Sequence, residues 1–173
     1  MPAPSLVGFE HKLVIGVGDL AASNNPNLIL TTYSLGSCLG VTVFDPVARV
    51  GGLLHLMLPS SEIDPAKAMT RPGMFVDTGV PALFRSAYEF RAVKQRMIIC
   101  IAGGAQIMDS TGFFNIGKRN YEALQNLLRQ HDLRTVAAET GGLVNRTMSL
   151  HLSTGLVTLK TSGQNKETIL WTP

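Results

Sequence analysis

Apolar and polar positions alternate most cleanly over Arg146 to Leu152, where Met148, Leu150 and Leu152 are separated by Thr147, Ser149 and His151. The alternation returns over Leu156 to Thr161, with Val157 and Leu159 set against Thr158 and Lys160. A period of two puts one set of side chains on a buried face and the other towards solvent, which predicts two half-buried strands. Ser153-Thr154-Gly155 joins them as a three-residue connection with Gly155 in the left-handed position, hence a hairpin. Leu13 to Val17 and Leu28 to Tyr33 are short apolar or β-branched runs and predict two more strands. Val41 to Phe44 predicts another, stopped by Asp45-Pro46, and Gly51 to Leu58 another, stopped by Pro59. The last is apolar on both alternating sets, so both its faces should be covered. Met97 to Ala102 and Thr135 to Ala138 complete the predicted strands, each followed by a glycine pair.

The period lengthens over two segments. Asp77 to Phe90 carries Val80, Leu83, Phe84 and Ala87 on one side, and predicts a helix capped by Asp77 or Thr78, with Pro81 confined to its first turn. Ile116 to His131 predicts a second, with Tyr121, Leu124 and Leu128 as its inward stripe. Residues 59–73, rich in Pro, Ser, Asp and Gly, predict a long loop of the kind that often carries function. Its Glu62, Asp64, Lys67 and Arg71 suit it to reading a polar helix. Residues 1–11 predict a flexible tail, and residues 12–173 one strand-rich α+β domain with no internal repeat.

Composition narrows the function. Of 173 residues, 45% are hydrophobic and only 16% charged, which supplies a core and excludes a disordered chain. The net charge of +3 is spread along the sequence, and aromatics are too few to interleave with it as a nucleic-acid surface. Two cysteines do not make a disulfide scaffold at this length. No apolar run reaches the ~18 residues of a membrane span, and the N-terminus lacks a secretory pattern. A cytoplasmic protein with reduced thiols is expected.

Cys38 is the candidate nucleophile. Gly36 and Gly40 flank it, and the expectation is that they let the backbone turn sharply while the amides around Ser37-Cys38 point at an oxyanion. A thiol needs a base near neutral pH. His55 sits in the next strand but one turn away, and Thr32 lies on the strand entering Cys38, so a Cys38–His55–Thr32 triad is available. The residues alone leave open that Cys38 is a small core residue and His55 a satisfied one. Cys100 lies inside an apolar run and is expected to pack. His11, His131 and His151 read as tail, helix-end and strand-surface positions, with no metal-ligand spacing to the cysteines. Gly16-Val17-Gly18 and Gly103-Gly104 lack the partners of a phosphate loop. Asp45, Asp77, Asp109 and Glu139 sit at element ends and are expected to cap and turn. No metal or cofactor is called for.

Leu35-Gly36-Ser37-Cys38, with His55-Leu56-Met57-Leu58-Pro59 beginning seventeen residues after the cysteine, resembles the chemoreceptor glutamine deamidase family, CheD. The resemblance continues in order through Phe75-Val76-Asp77-Thr78, Ala102-Gly103-Gly104-Ala105, Asn115-Ile116-Gly117-Lys118-Arg119-Asn120, and Thr140-Gly141-Gly142 with Arg146. Ser34, where the family usually has glycine, and Gly40, where it has a small apolar residue, are departures that flank the nucleophile. The resemblance implies an α/β/β layered fold similar to the catalytic domain of the cytotoxic necrotizing factors. It implies a hydrolase that deamidates receptor glutamines through a Cys38 thioester, with His55 as base, Thr32 as orienter and Gly36 and Ser37 supporting the oxyanion. Hydrolysis of glutamate methyl esters is a second expected reaction. The implied partners are the cytoplasmic helices of chemoreceptors and a CheC-type phosphatase. The rival classes are an adaptor that binds such a phosphatase with little catalysis, and a thiol protease, for which the loops leave little cleft-building sequence.

Overall fold

Ten strands form two five-stranded sheets in the computed structural model, which describes residues 10–107, 109 and 111–173. The first sheet runs β1(His11–Val14), β3(Leu28–Leu35), β8(Arg146–His151), β9(Val157–Thr161), β10(Thr168–Trp171). The second runs β2(Leu20–Ser23), β5(Val50–Leu56), β4(Leu39–Asp45), β6(Ile98–Gly103), β7(Thr135–Thr140). The predicted hairpin is β8–β9, with Met148 facing Leu159 and Leu150 facing Val157, and with Gly155 at φ 85°. β5 is buried along its whole length, as a strand apolar on both sets should be.

Each face of the second sheet has its own core. Leu39, Val41 and Val43 of β4 with Leu54 and Leu56 of β5 pack against Val80, Leu83 and Phe84 of α2(Val76–Tyr88) and Leu124 and Leu128 of α3(Ile116–Gln130). Phe44, Leu53, Cys100 and Ala102 turn the other way, onto Leu30, Met148, Leu150 and Leu159 of the first sheet. The chain is thus an α+β domain in three layers: helices, sheet, sheet. Cys100 is a fully buried packing residue. Among the described residues no helix is long and apolar enough to cross a membrane.

Several expectations need correction. Residues 59–73 are not a bare loop: they hold a 3-10 turn at Ser61–Ile63, α1(Pro65–Thr70) and a second 3-10 turn at Pro72–Met74. Local capping builds them, with Ser60 accepting from the Glu62 amide and Asp64 from the Lys67 amide, and Pro65 opening α1. Neither Asp77 nor Thr78 caps α2. Phe75 occupies the cap with no side-chain bond, while Asp77 accepts from the amide and hydroxyl of Ser61 and Thr78 donates to the Pro72 carbonyl. Pro81 lies beyond the first turn of α2. β2 and β10 are strands that the pattern did not predict. The tail falls outside the described residues over 1–9, and His11 already pairs in parallel with Leu28.

Asp45 ties the β4–β5 turn to the segment after α2. Its buried carboxylate accepts from the amides of Val47, Ala48 and Val93 and from the Arg96 guanidinium at 2.7 Å. Burial pushes the acid up, but Arg96 and the three amides outweigh it and hold the group down at about 2. A depressed acid stabilises above its ordinary value, and the contribution is lost as pH falls from about 4 towards about 2. Asp45→Asn should therefore remove roughly 1–2 kcal/mol at neutral pH, the partly exposed Arg96 limiting the figure, and flatten the loss of urea midpoint on acidification. Equal acid sensitivity in both proteins would contradict this.

Candidate active site

The nucleophile candidate sits where β3 and β4 meet across a strained corner. The register of β3 on β8 breaks between Thr32 and Leu35, and Ser34 takes φ 58°. The left-handed residue is thus Ser34, not Gly36 or Gly40, whose backbones are ordinary in this respect. Glycine suits that conformation best, so the serine at this position carries backbone strain that glycine would not. The flanking glycines act through space instead. A side chain at Gly40 would run into Leu35 and Met148, and one at Gly36 would press on Asn145 and Ile107.

The fold puts Thr32 against His55 and leaves Cys38 near by, with no hydrogen bond between Cys38 and His55. Gly40 lies opposite His55 in the β4–β5 ladder. Alternation then puts Cys38 on the same face, one diagonal step from His55, and that face looks at the first sheet. Thr32, an inward residue of β3, meets His55 from across the gap: its Oγ1 is 2.7 Å from Nδ1. The same hydroxyl donates to the Ile15 carbonyl at 2.7 Å. A hydroxyl has one proton, so with Ile15 receiving it, Thr32 accepts from Nδ1–H. The imidazole is thereby held with Nδ1 protonated and Nε2 carrying the lone pair. Nε2 is buried and has no hydrogen-bond partner among the described residues.

Burial lowers the His55 imidazole to about 4, against a smaller raising effect from Asp19, whose carbonyl accepts from the His55 amide. Burial also pushes the Cys38 thiol up, partly offset by its own backbone N–H. Burial thus favours the uncharged form of both groups at neutral pH, a neutral thiol and a neutral imidazole rather than an ion pair.

Gly103 and Gly104 finish the β4–β6 ladder around Cys38. Gly104 N–H donates to the Cys38 carbonyl at 2.8 Å, and Ala105 N–H to the Gly36 carbonyl at 2.8 Å. The reciprocal bond from the Cys38 amide is not made, because Gly103 and Gly104 leave the strand with φ 111° and 63°. Among the described residues neither the Ser37 nor the Cys38 amide donates to a backbone carbonyl, and the Cys38 N–H faces its own sulfur. The glycine pair is a close-packing turn, as expected. Arg146, nearly buried, steadies the neighbouring turn through Glu139 at 3.0 Å and the Gly141 carbonyl at 2.9 Å.

Cys38 opens into a cleft of about 420 Å³ walled by Ile107, Phe114, Ile116 and Asn145 among others. Asp109 organises the outer wall by accepting from the amides of Phe113, Phe114 and Asn115. No residue of 60–73 lines this cleft. Among the described residues no group of three or more His, Cys, Asp or Glu gathers as a metal site. Two groups that bond around these residues carry no role assigned from the sequence. The Ile15 carbonyl has no side-chain signature. Asn120 had one: a polar residue four positions before Leu124, on the inward stripe of α3.

The sequence model of the family described as CheD chemotactic sensory transduction matches residues 57–161, opening just past His55. A protein of Syntrophus aciditrophicus (strain SB), named probable chemoreceptor glutamine deamidase CheD 1, is 45% identical over 151 residues, 87% of this chain and 94% of its own. The protein named chemoreceptor glutamine deamidase CheD in Thermotoga maritima (strain ATCC 43589 / DSM 3109 / JCM 10099 / NBRC 100826 / MSB8) is 36% identical over 156 residues, 90% of this chain and 96% of its own. A family match over more than half the chain, joined to relatives alike over most of their length, is enough to conclude that the chain belongs to the CheD family.

Proposed function

We propose that this protein deamidates glutamine side chains of chemoreceptors, with Cys38 as nucleophile, His55 as base and Thr32 as orienter. The names of its relatives supply the substrate class. The observation that carries the residue roles is the Ile15–Thr32–His55 relay, which leaves the Nε2 lone pair free on the face that Cys38 shares. The thiol proton passes to Nε2 as Sγ bonds the carboxamide carbon. The oxyanion is met by the amides of Ser37 and Cys38, which no backbone carbonyl occupies, donors worth ~3 kcal/mol each in comparable sites. Nε2–H then protonates the leaving nitrogen, the C–N bond breaks, and ammonia departs from a Cys38 thioester. Water gives a proton to Nε2 and attacks the thioester, releasing glutamate and returning the thiol.

A glutamate methyl ester enters the same cycle, with methanol as the leaving group. The order of layers supports the likeness to the necrotizing factor catalytic domain. Regulation by a CheC-type phosphatase belongs to the same proposal and rests on family membership alone.

Roles separate by substitution. His55→Ala should lower kcat about as far as loss of the nucleophile, roughly 10³-fold or more. Thr32→Ala should cost about 10–100-fold, since the base survives but turns and changes tautomer. Thr32→Ser, which keeps the hydroxyl, should recover most of it. Ammonia release from a receptor fragment measures all three. Thr32→Ala at full rate would remove the orienter from the mechanism.

A further inference from the structure

The β4–β5 ladder stops one residue short of the nucleophile, at Leu39 opposite Leu56. Beyond that rung the strands part. The amides of Met57 and Leu58 both turn to the Met74 carbonyl at 2.9 Å, while the Cys38 carbonyl turns to Gly104. The Ser37 carbonyl is left without a rung from β5. Asn120 fills the gap from α3: its Nδ2 donates to the Ser37 carbonyl at 3.0 Å and to the Met57 carbonyl at 2.9 Å. Both partners are acceptors, so the amide has one possible orientation and both its protons are used. Asn120 is fully buried, and its Oδ1 has no partner among the described residues. Its neighbours on the inward face are Gly117, Leu124 and Leu128. A stripe chosen for stability alone would carry an apolar side chain there and avoid a buried, unmet oxygen.

We propose that Asn120 is a positioning residue of the active centre: one carboxamide ties the carbonyl before Cys38 and the carbonyl two residues past His55 to a single point on α3. The proposal rests on the deamidase reading for its chemistry. His55 is held inside the β4–β5 ladder opposite Gly40, whereas Cys38 lies one residue beyond its last rung, so no backbone bond between these two strands fixes the nucleophile itself. Asn120 supplies the missing rung. Releasing it frees the Ser37–Cys38 peptide to rotate, which carries Sγ away from Nε2 and swings the Cys38 amide off the oxyanion.

The test uses the full chain and two readouts. Asn120→Ala should lower kcat for a receptor fragment roughly 100-fold, the cost of an ångström-scale misplacement. KM should stay within about twofold, because no contact to substrate is removed. The second readout needs no substrate: the rate at which iodoacetamide labels Cys38 at neutral pH. His55→Ala, Asn120→Ala and the double variant should label equally slowly, because Asn120 acts only through the Cys38–His55 pair. Asn120→Asp, of the same shape but with oxygen facing both carbonyls, should match Asn120→Ala. A folded Asn120→Ala with wild-type kcat overturns the proposal, and so does labelling that falls further when His55 is also removed. If neither variant folds, Asn120 is a stability residue and the proposal fails. If the wild type releases no ammonia from receptor, the deamidase reading fails, and the labelling series still decides the role of Asn120.

Discussion

Cys38→Ala abolishes conversion of receptor glutamine, with kcat down ~10⁴-fold or more, while the protein melts within a few degrees of the wild type. The two halves of this expectation come from different facts. No other thiol reaches the cleft, since Cys100 is fully buried between the sheets, where burial pushes it up to about 11. What remains after truncation is the binding cleft and the amides at positions 37 and 38, which accelerate little without an attacking atom. Stability survives because Cys38 is only partly buried and lines the cleft. Cys100→Ala should show the converse: near-normal turnover, and a loss of about 1 kcal/mol from the small cavity left in the core. Ammonia release and thermal melts on the two variants check the contrast.

Gly103→Ala has the second largest expected effect and touches no reacting group. Gly103 holds φ 111°, a conformation side chains rarely adopt, and an added Cβ would overlap the Cys38 carbonyl oxygen. The backbone must give way on one side. If Cys38 moves, its carbonyl leaves the Gly104 amide and its own amide swings off the oxyanion. We expect kcat to fall by ~10²-fold or more, and stability by about 2–3 kcal/mol from the strained backbone. Gly141→Ala is the control: it also has positive φ, 81°, but among the described residues nothing beyond its chain neighbours lies within 4 Å of an added Cβ. Its strain should cost stability while leaving far more turnover. Similar kcat losses in both would mean that strain, and not displacement of Cys38, inactivates the enzyme.

Local pattern carried much of this fold, and the exceptions have physical causes. The β8–β9 hairpin was legible because contact is local and its inward set is strictly apolar. α3 was legible because Leu124 and Leu128 repeat at helical spacing. β2, by contrast, is four small or partly buried residues whose strand character comes from pairing with β5, some thirty positions away. β10 likewise depends on β9. In residues 59–73 the capping signals were present at Ser60 and Asp64, but polar and Pro-rich composition outweighed them. Cys38, His55 and Thr32 were found as residue types. Their relation depended on which sheet each strand joins, since Thr32 meets His55 only because β3 and β5 belong to different, facing sheets. The Ile15 carbonyl that sets the tautomer is backbone, and no side chain announces it. Asn120 was visible as a polar residue on an apolar stripe, yet its two carbonyl partners belong to segments far off in sequence.

On the proposed mechanism, receptor glutamine passes through a thioester on Cys38. Hydroxylamine intercepts thioesters, so deamidation run in its presence tests that claim most directly. Mass spectrometry of the receptor peptides should find the modified glutamines as hydroxamates in place of glutamates, with ammonia release undiminished and both products absent with Cys38→Ala. Ammonia release with glutamate as the sole product at saturating hydroxylamine, or glutamate formation by Cys38→Ala, would contradict it.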